Sequence, residues 1–220
     1  MSFERDAEEH RVDPRVVLAL TAAFVALAVV VGTGLSAAPD ASVAQWARLP
    51  DGTTGNEVAR ALNQASGVGI AFLAAAVGLV LAAVRRDRSW LLLLVPLATV
   101  PIELLAKNVI PRTMVGNIAT DVQLGPFLTI ATPYTFPSGN MARVAALVFA
   151  LLLHPARARI ADFRTTPGMV AVVGAAAVIA VTAWSHLAIG DHWPSDVVGG
   201  LLLGTDAAFA LDWFLERRRT

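Results

Sequence analysis

The sequence contains no cysteine, one tyrosine and, among 17 basic residues, a single lysine. The absence of cysteine excludes disulfide bonds and thiolate chemistry. A net charge of zero gives no indication of a nucleic-acid partner. Charged residues are only 15% of the chain while 56% are hydrophobic, a proportion that a water-soluble domain of this length cannot readily cover with polar surface. The composition therefore indicates a polytopic membrane protein.

Apolar runs define the expected architecture. A membrane-spanning helix needs about 20 mostly apolar residues, and six runs approach that length. They cover residues 16–35, 67–84, 90–106, 139–153, 169–187 and 197–215. We therefore predict an all-α fold, a bundle of six transmembrane helices whose first helix is a retained anchor. The predicted divisions are a disordered cytoplasmic leader at 1–15, the membrane domain at 16–216 and a basic cytoplasmic tail at 217–220.

The distribution of basic residues predicts the orientation. In a six-span layout most arginines fall on one side, which the positive-inside rule assigns to the cytoplasm. These arginines are Arg5, Arg11, Arg15, Arg85, Arg86, Arg88, Arg157, Arg159, Arg164, Arg217, Arg218 and Arg219. Three polar clusters fall on the opposite, extracytoplasmic side. The first contains Lys107 and Arg112, the second is residues 137–140, and the third is residues 190–196. Counting spans therefore predicts that the three clusters share one membrane surface. The outer segment 36–66 fits either an interfacial helix or a solvated loop.

The second of these clusters is the tetrapeptide PSGN, Pro137 to Asn140, which opens the fourth apolar run. Ser138 can cap the helix, and the free amides of Ser138, Gly139 and Asn140 can bind an anion, because a helix N-terminus favours negative charge. The same residues also suit a helix that merely begins here.

The third cluster is GDHWPSD, Gly190 to Asp196, with Pro194 suited to the first turn of a helix. His192 and Asp196 are four positions apart, which allows the carboxylate to hold the imidazole. An oriented neutral histidine can attack phosphorus and form a phosphohistidine. The alternative is an ordinary interfacial histidine.

The first cluster supplies positive charge through Lys107 and Arg112, which can bind nonbridging phosphate oxygens. Both can equally be basic anchors whose side chains extend to the membrane interface. Glu103, in the third apolar run, is expected to pair with Lys107 or an arginine, because an isolated carboxylate is costly there.

With these motifs the chain resembles the type 2 phosphatidic acid phosphatase superfamily of integral membrane lipid phosphatases. Lys107, the Pro137–Gly139 triplet, Ser185, His192 and Asp196 match the family pattern in order. The resemblance implies a nucleophilic role for His192, an orienting role for Asp196, and phosphate binding by Lys107, Ser138, Gly139 and Ser185.

Three positions depart from the family pattern. Met114 stands where an arginine is expected, Asn140 replaces the histidine of the second motif, and His186 replaces the arginine after Ser185. Arg112 corresponds only to an additional arginine that many members of the superfamily carry upstream of the expected one. Arg143, in the first turn of the fourth predicted span (139–153), can replace lost charge or extend to the interface. His186 can act as a substitute acid or cap the end of the fifth predicted span (169–187).

The expected function is hydrolysis of a lipid phosphate or pyrophosphate on the outer face of the cytoplasmic membrane, without metal or cofactor. Asparagine has no proton to give a leaving alkoxide, whereas a phosphate leaving group needs little protonation. Asn140 therefore favours a polyprenyl diphosphate over a phosphatidate-type lipid. The alternative is a catalytically impaired, phosphatase-like protein that binds a lipid headgroup or an envelope-assembly partner. The sequence shows too few convergent histidines and carboxylates for a metal site.

Overall fold

The computed structural model describes residues 12–112, 120–123, 129–154 and 166–217. Eight α-helices lie in this part of the chain, with a 3₁₀ segment at Arg88–Leu94. They are α1 (Pro14–Gly32), α2 (Ala37–Ala47), α3 (Thr54–Ala65), α4 (Val68–Arg85), α5 (Val95–Val109), α6 (Gly139–Leu153), α7 (Thr166–Ile189) and α8 (Pro194–Arg217). The predicted all-α membrane class is confirmed.

Each predicted apolar run is helical in the structure, including 139–153, whose bounds coincide with α6. Five helical segments of the described chain are long and apolar enough to cross a membrane. These are Pro14–Gly32, Thr54–Arg85, Arg88–Val109, Thr166–Ile189 and Pro194–Arg217. At 15 residues, α6 is shorter than a full span. The protein is therefore a multi-pass membrane protein in which six spans is an approximate count.

The central position of α6 follows from its small and apolar side chains. Ala142, Ala145, Ala146 and Ala150 are all fully buried, and α6 packs against both α5 and α8. Gly200 and Gly204 of α8 permit this approach, since a side chain on either would meet the α6 backbone. Small residues thus form the contact between α8 and α6.

The third apolar run and the outer segment each form two consecutive elements in the structure. The 3₁₀ segment carries the third apolar run into α5, where Pro96 lies near the start and Pro101 lies inside the helix. The outer segment 36–66 contains two helices, α2 and α3, rather than a plain loop. A short antiparallel pair of strands, Thr120–Gln123 with Thr129–Thr132, lies between α5 and α6 and was not predicted.

Predictions on the remaining residues lie outside the part of the chain that the structure describes. These include the leader up to residue 11, Met114, the tail from residue 218, and Arg157, Arg159 and Arg164. The basic residues Arg15 and Arg85 lie at the start of α1 and the end of α4. The orientation of the bundle in a cell membrane stays a prediction.

Candidate active site

Four helix ends bring the predicted motifs together. Lys107 lies near the end of α5, Ser138 caps the start of α6, His186 lies near the end of α7, and Asp196 lies in the first turn of α8. The backbone N–H of Ser138 donates to the carbonyl oxygen of Asp196 at 2.9 Å. This bond joins the second motif directly to the third.

The imidazole of His192 is held by a buried carboxylate. Its Nδ1 lies 3.3 Å from Oδ2 of Asp196, which also accepts the backbone N–H of Trp193 at 3.2 Å. Because α8 begins at Pro194, Asp196 occupies the third helical position, from which a side chain can reach back to the residue before the helix. The carboxylate favours the tautomer with its proton on Nδ1, which leaves Nε2 as the nitrogen able to attack.

A second histidine lies against the first. The rings of His186 and His192 are edge to face, with centroids 5.0 Å apart and an interplanar angle of 80°. His186 is completely buried, with Nδ1 3.2 Å from Asp191 Oδ1 and Nε2 3.4 Å from the hydroxyl of Ser138. His186 therefore lies inside the site, where it bridges Ser138 to a carboxylate, and its role as a substitute acid stays a prediction.

Asp191 was not among the predicted site residues. Burial raises the pKa of this carboxyl, but the hydrogen bond with His186, the electrostatic effect of the two neighbouring imidazoles and the amide of Asn63 together hold the pKa below its usual value. Asn63 of α3 donates to Asp191 Oδ2 at 2.7 Å. An ionised Asp191 therefore adds negative charge beside both histidines.

The only lysine of the chain belongs to a buried charge cluster. Glu103 accepts from Lys107 at 3.1 Å and from Arg143 at 2.6 Å, and all three side chains are at most 5% exposed. The predicted pairing of Glu103 is therefore confirmed with both partners. Arg143 faces this cluster and does not extend to the interface. Because two cations pair with one carboxylate, the cluster carries a net positive charge next to the start of α6.

Asn140 links the charge cluster to the histidines. Its Oδ1 accepts from Arg143 Nη2 at 2.7 Å, and its Nδ2 donates to Oδ1 of Asn63 at 2.7 Å. Since Asn63 also donates to Asp191, a continuous polar network runs from Lys107 to His186. The side chain of Asn140 is thus held by protein partners, and phosphate binding by it stays a prediction.

The start of α6 requires glycine. A side chain at Gly139 would overlap the carboxylate of Glu103. The predicted capping by Ser138 is confirmed, since its hydroxyl accepts the N–H of Met141 at 3.4 Å. The expectation that the amide of Ser138 is free was wrong, because this N–H bonds to Asp196. The amides of Gly139 and Asn140 are those that a helix start leaves without intrahelical partners.

Arg112 has a different carboxylate partner. Its Nη2 pairs with Oδ2 of Asp40 in α2, and its guanidinium lies 4.9 Å from the ring centroid of Trp193. Asp40 also accepts from Ser195, from the backbone N–H at 2.9 Å and the hydroxyl at 2.7 Å. Arg112 thus contacts the residue after His192, while Lys107 lies in the separate cluster around Glu103.

Ser185, predicted to bind phosphate, is fully buried, and its hydroxyl donates to the carbonyl of Thr182 in the same helix at 2.8 Å. Phosphate binding by Ser185 stays a prediction that needs this bond to break.

A cavity of about 520 Å³ adjoins the turn between α7 and α8. Arg48, Gly190 and Trp193 are among its lining residues, so the cavity reaches the residue next to His192.

The structure groups three side chains of metal-binding type, and the expectation that the site holds no metal stays a prediction. One donor atom from each of His186, Asp191 and His192 lies within 4.8 Å of the other two. The sequence analysis did not consider this group because it left Asp191 out of the site, although Asp191 directly precedes His192 in the third motif. That adjacency was the available signal.

Asn63 and Asp40 were also missed. Both lie in the outer segment, 77 residues from Asn140 and 72 residues from Arg112 in sequence, respectively. Neither belongs to a motif, so no local pattern marks them.

Comparisons with known proteins agree with this arrangement. A family model described as the PAP2 superfamily matches residues 15–219. The fold resembles a crystal structure of a transmembrane PAP2 type phosphatidylglycerolphosphate phosphatase from Bacillus subtilis, with a TM-score of 0.68 and 19% sequence identity. The similarity covers 93% of this chain and 97% of that one. Among curated protein sequences, none matches the chain.

Proposed function

Because the chain belongs to the PAP2 superfamily, we propose that it is a membrane lipid phosphatase that acts through a phosphohistidine on His192. The observation that carries this proposal is the contact of His192 Nδ1 with Asp196, a buried carboxylate bonded through its backbone to the start of α6. This arrangement supports the proposal because it leaves Nε2 of His192 available to attack phosphorus. Asp196 can then stabilise the cation that forms while Nδ1 keeps its proton.

The proposed reaction has two displacements. Nε2 of His192 first bonds to phosphorus while the bond between phosphorus and the leaving oxygen breaks. From a lipid pyrophosphate this step releases the lipid monophosphate, whose leaving oxygen needs little protonation. From a lipid monophosphate it releases the lipid alcohol, with the proton given by His186. Water then attacks the phosphohistidine, the P–N bond breaks, and inorganic phosphate leaves while the imidazole is restored. No metal takes part. Lys107 and Arg143 supply the fixed positive charge, and the amides of Gly139 and Asn140 bind nonbridging oxygens.

The favoured substrate is a lipid pyrophosphate such as a polyprenyl diphosphate. With asparagine at position 140, the residue cannot protonate a leaving alkoxide. A pyrophosphate leaves as a phosphate, which needs little protonation, so the missing histidine matters less. His186 supports activity on monophosphates as a substitute acid, because it lies beside both Ser138 and His192.

The proposed location is the cytoplasmic membrane, with both termini in the cytoplasm and the site on the outer face. The arginine distribution supports this orientation. Labelling of single cysteines tests it, because the natural chain has none to interfere. A cysteine at Ala41 should react with an impermeant maleimide in intact cells, whereas a cysteine at Ala83 should react only after lysis; the reverse pattern contradicts the orientation.

A non-catalytic headgroup-binding protein is the second candidate. The observation that favours it is the engagement of Asn140 by Asn63 and Arg143, which fills the place of the expected acid with a structural link. Phosphate release by purified protein in detergent with chelator, from polyprenyl pyrophosphate and from phosphatidate, separates the two candidates. Release that His192→Ala abolishes supports the phosphatase. Headgroup binding by folded protein without release supports the second candidate.

A further inference from the structure

We propose that His186, Asp191 and His192 bind a divalent transition metal, with zinc the best fit, and that zinc at this position inhibits the enzyme by occupying its nucleophile. The inhibition rests on the proposed function, whereas the metal site does not. Two imidazoles and a carboxylate are a donor set that suits zinc. Magnesium and calcium instead prefer sites made of oxygen atoms.

The distances suit a four-coordinate ion. Zinc bonds to nitrogen and to carboxylate oxygen at about 2.0–2.2 Å, which places neighbouring tetrahedral donors roughly 3.3–3.5 Å apart. Nδ1 of His186 and Oδ1 of Asp191 are already 3.2 Å apart. The three donors lie within 4.8 Å of one another, so closing the set needs movements of at most about 1.5 Å.

Each of the three side chains has a further partner that orients it. Asp196 holds Nδ1 of His192, a carboxylate–histidine pair of the kind that supports metal-bound imidazoles. Asn63 donates to Asp191, and the hydroxyl of Ser138 lies against Nε2 of His186. Three ligands leave the fourth position of a tetrahedral ion for water or a phosphate oxygen.

The surrounding charges permit a dication. The cations buried near the three donors already have carboxylate partners: Lys107 and Arg143 pair with Glu103, and Arg112 pairs with Asp40. Arg48 lies against Gly190. In the described part of the chain, Asp191 and Asp196 contact imidazoles and amides but pair with no lysine or arginine, so their negative charge is available to a cation. Since Asp196 holds Nδ1 of His192, the metal would take Nε2, the nitrogen that otherwise attacks phosphorus.

The site is tested first by metal binding, which needs no catalytic activity. The full-length protein, purified in detergent with a tag free of histidine and stripped with chelator, is titrated with Co²⁺ while its visible absorption is followed, and Zn²⁺ is then added. We expect one Co²⁺ bound with a four-coordinate spectrum and displaced by Zn²⁺. Asp191→Asn, which keeps the side-chain shape, should weaken binding at least about 100-fold, and Asp196→Asn by about 10–100-fold.

His154→Gln is the matched control. It removes a buried histidine whose Nε2 lies 3.0 Å from the hydroxyl of Ser89, in a different part of the bundle. Metal affinity should remain within about twofold of the unsubstituted protein. Absence of stoichiometric binding, or equal loss in His154→Gln and Asp191→Asn, overturns the metal site.

Inhibition is tested on phosphate release. Zn²⁺ should suppress release from the unsubstituted protein, chelator should restore it, and Asp191→Asn should need at least about tenfold more Zn²⁺ for half inhibition of its own activity. Release that is insensitive to bound Zn²⁺, or that requires it, overturns the inhibition. Metal binding without release from any lipid supports the site and contradicts the proposed function, and release without metal binding does the reverse.

Discussion

Glu103 lies between Lys107 and Arg143, with one carboxylate oxygen 3.1 Å from the lysine and the other 2.6 Å from the arginine. The three side chains are buried, so neither cation has bulk water to stabilise its charge. Glu103 therefore positions the two cations that we assign to phosphate binding. Removing one partner of a buried ion pair costs more than the pair contributes, because the remaining charge stays buried.

Glu103→Gln should therefore destabilise the protein by about 3–5 kcal/mol and lower phosphate release. The thermal unfolding midpoint in detergent measures the first effect. Glu57→Gln in α3 is the matched control, since Glu57 is exposed and should change stability by less than about 0.5 kcal/mol. Equal midpoints for the two variants would show that the cluster does not stabilise the fold.

Gly139→Ala should lower both activity and stability. The new methyl group would overlap the carboxylate of Glu103, so either the charge cluster or the start of α6 must move. Gly174→Ala in α7 offers a comparison, because nothing lies within 4 Å of a side chain added there. That change should be neutral or stabilising by up to about 1 kcal/mol. Full activity in Gly139→Ala contradicts the close packing at this site.

Asp40→Asn should reduce phosphate release without abolishing it. The carboxylate holds Arg112 and both the N–H and hydroxyl of Ser195, so its loss loosens the turn that carries His192. A drop of roughly 10–100-fold in kcat/KM is expected, comparable to losing an orienting partner elsewhere. Asp51→Asn removes an exposed pair with Arg60 and should have little effect. Similar losses in both variants would remove any special role for Asp40.

Much of the fold follows from the sequence because lipid imposes a simple requirement on each span. Every apolar run had to form a helix, since unpaired backbone groups are costly in hydrocarbon. Counting spans then placed Lys107, Ser138 and His192 at one end of the bundle. The helices of the outer segment were not resolved by this reasoning, because a surface segment satisfies its backbone in several ways.

The candidate site was less predictable. His192 and Asp196 were found because they are four positions apart across the start of α8, a spacing that lets Asp196 in the first turn reach back to His192. The contacts of Asn63 with Asn140 and Asp191 depend on how α3 packs against the bundle, which no local spacing encodes. The bond between Ser138 N–H and Asp196 likewise depends on the packing of α6 on α8, so the amide was wrongly expected to be free.

The absence of a proton donor at Asn140 predicts a preference for pyrophosphate lipids over monophosphate lipids, and one substitution at this position should reduce that preference. The unsubstituted protein should release phosphate from polyprenyl pyrophosphate faster than from phosphatidate. Asn140→His should raise phosphatidate hydrolysis by up to about 10²-fold, because it restores a proton donor at this position. Asn140→Gln, which restores no proton donor, is the control. Equal initial rates on the two lipids, or equal effects of the two substitutions, contradict the argument.

The central claim is that His192 forms a covalent bond to phosphorus. The most direct measurement is rapid quenching of the protein with lipid pyrophosphate carrying ³²P at its terminal phosphate, in chelator, followed by peptide mapping. The account predicts an acid-labile phosphate on the peptide that contains His192, absent in His192→Ala. Continued phosphate release by His192→Ala, or label on a different residue, would contradict it.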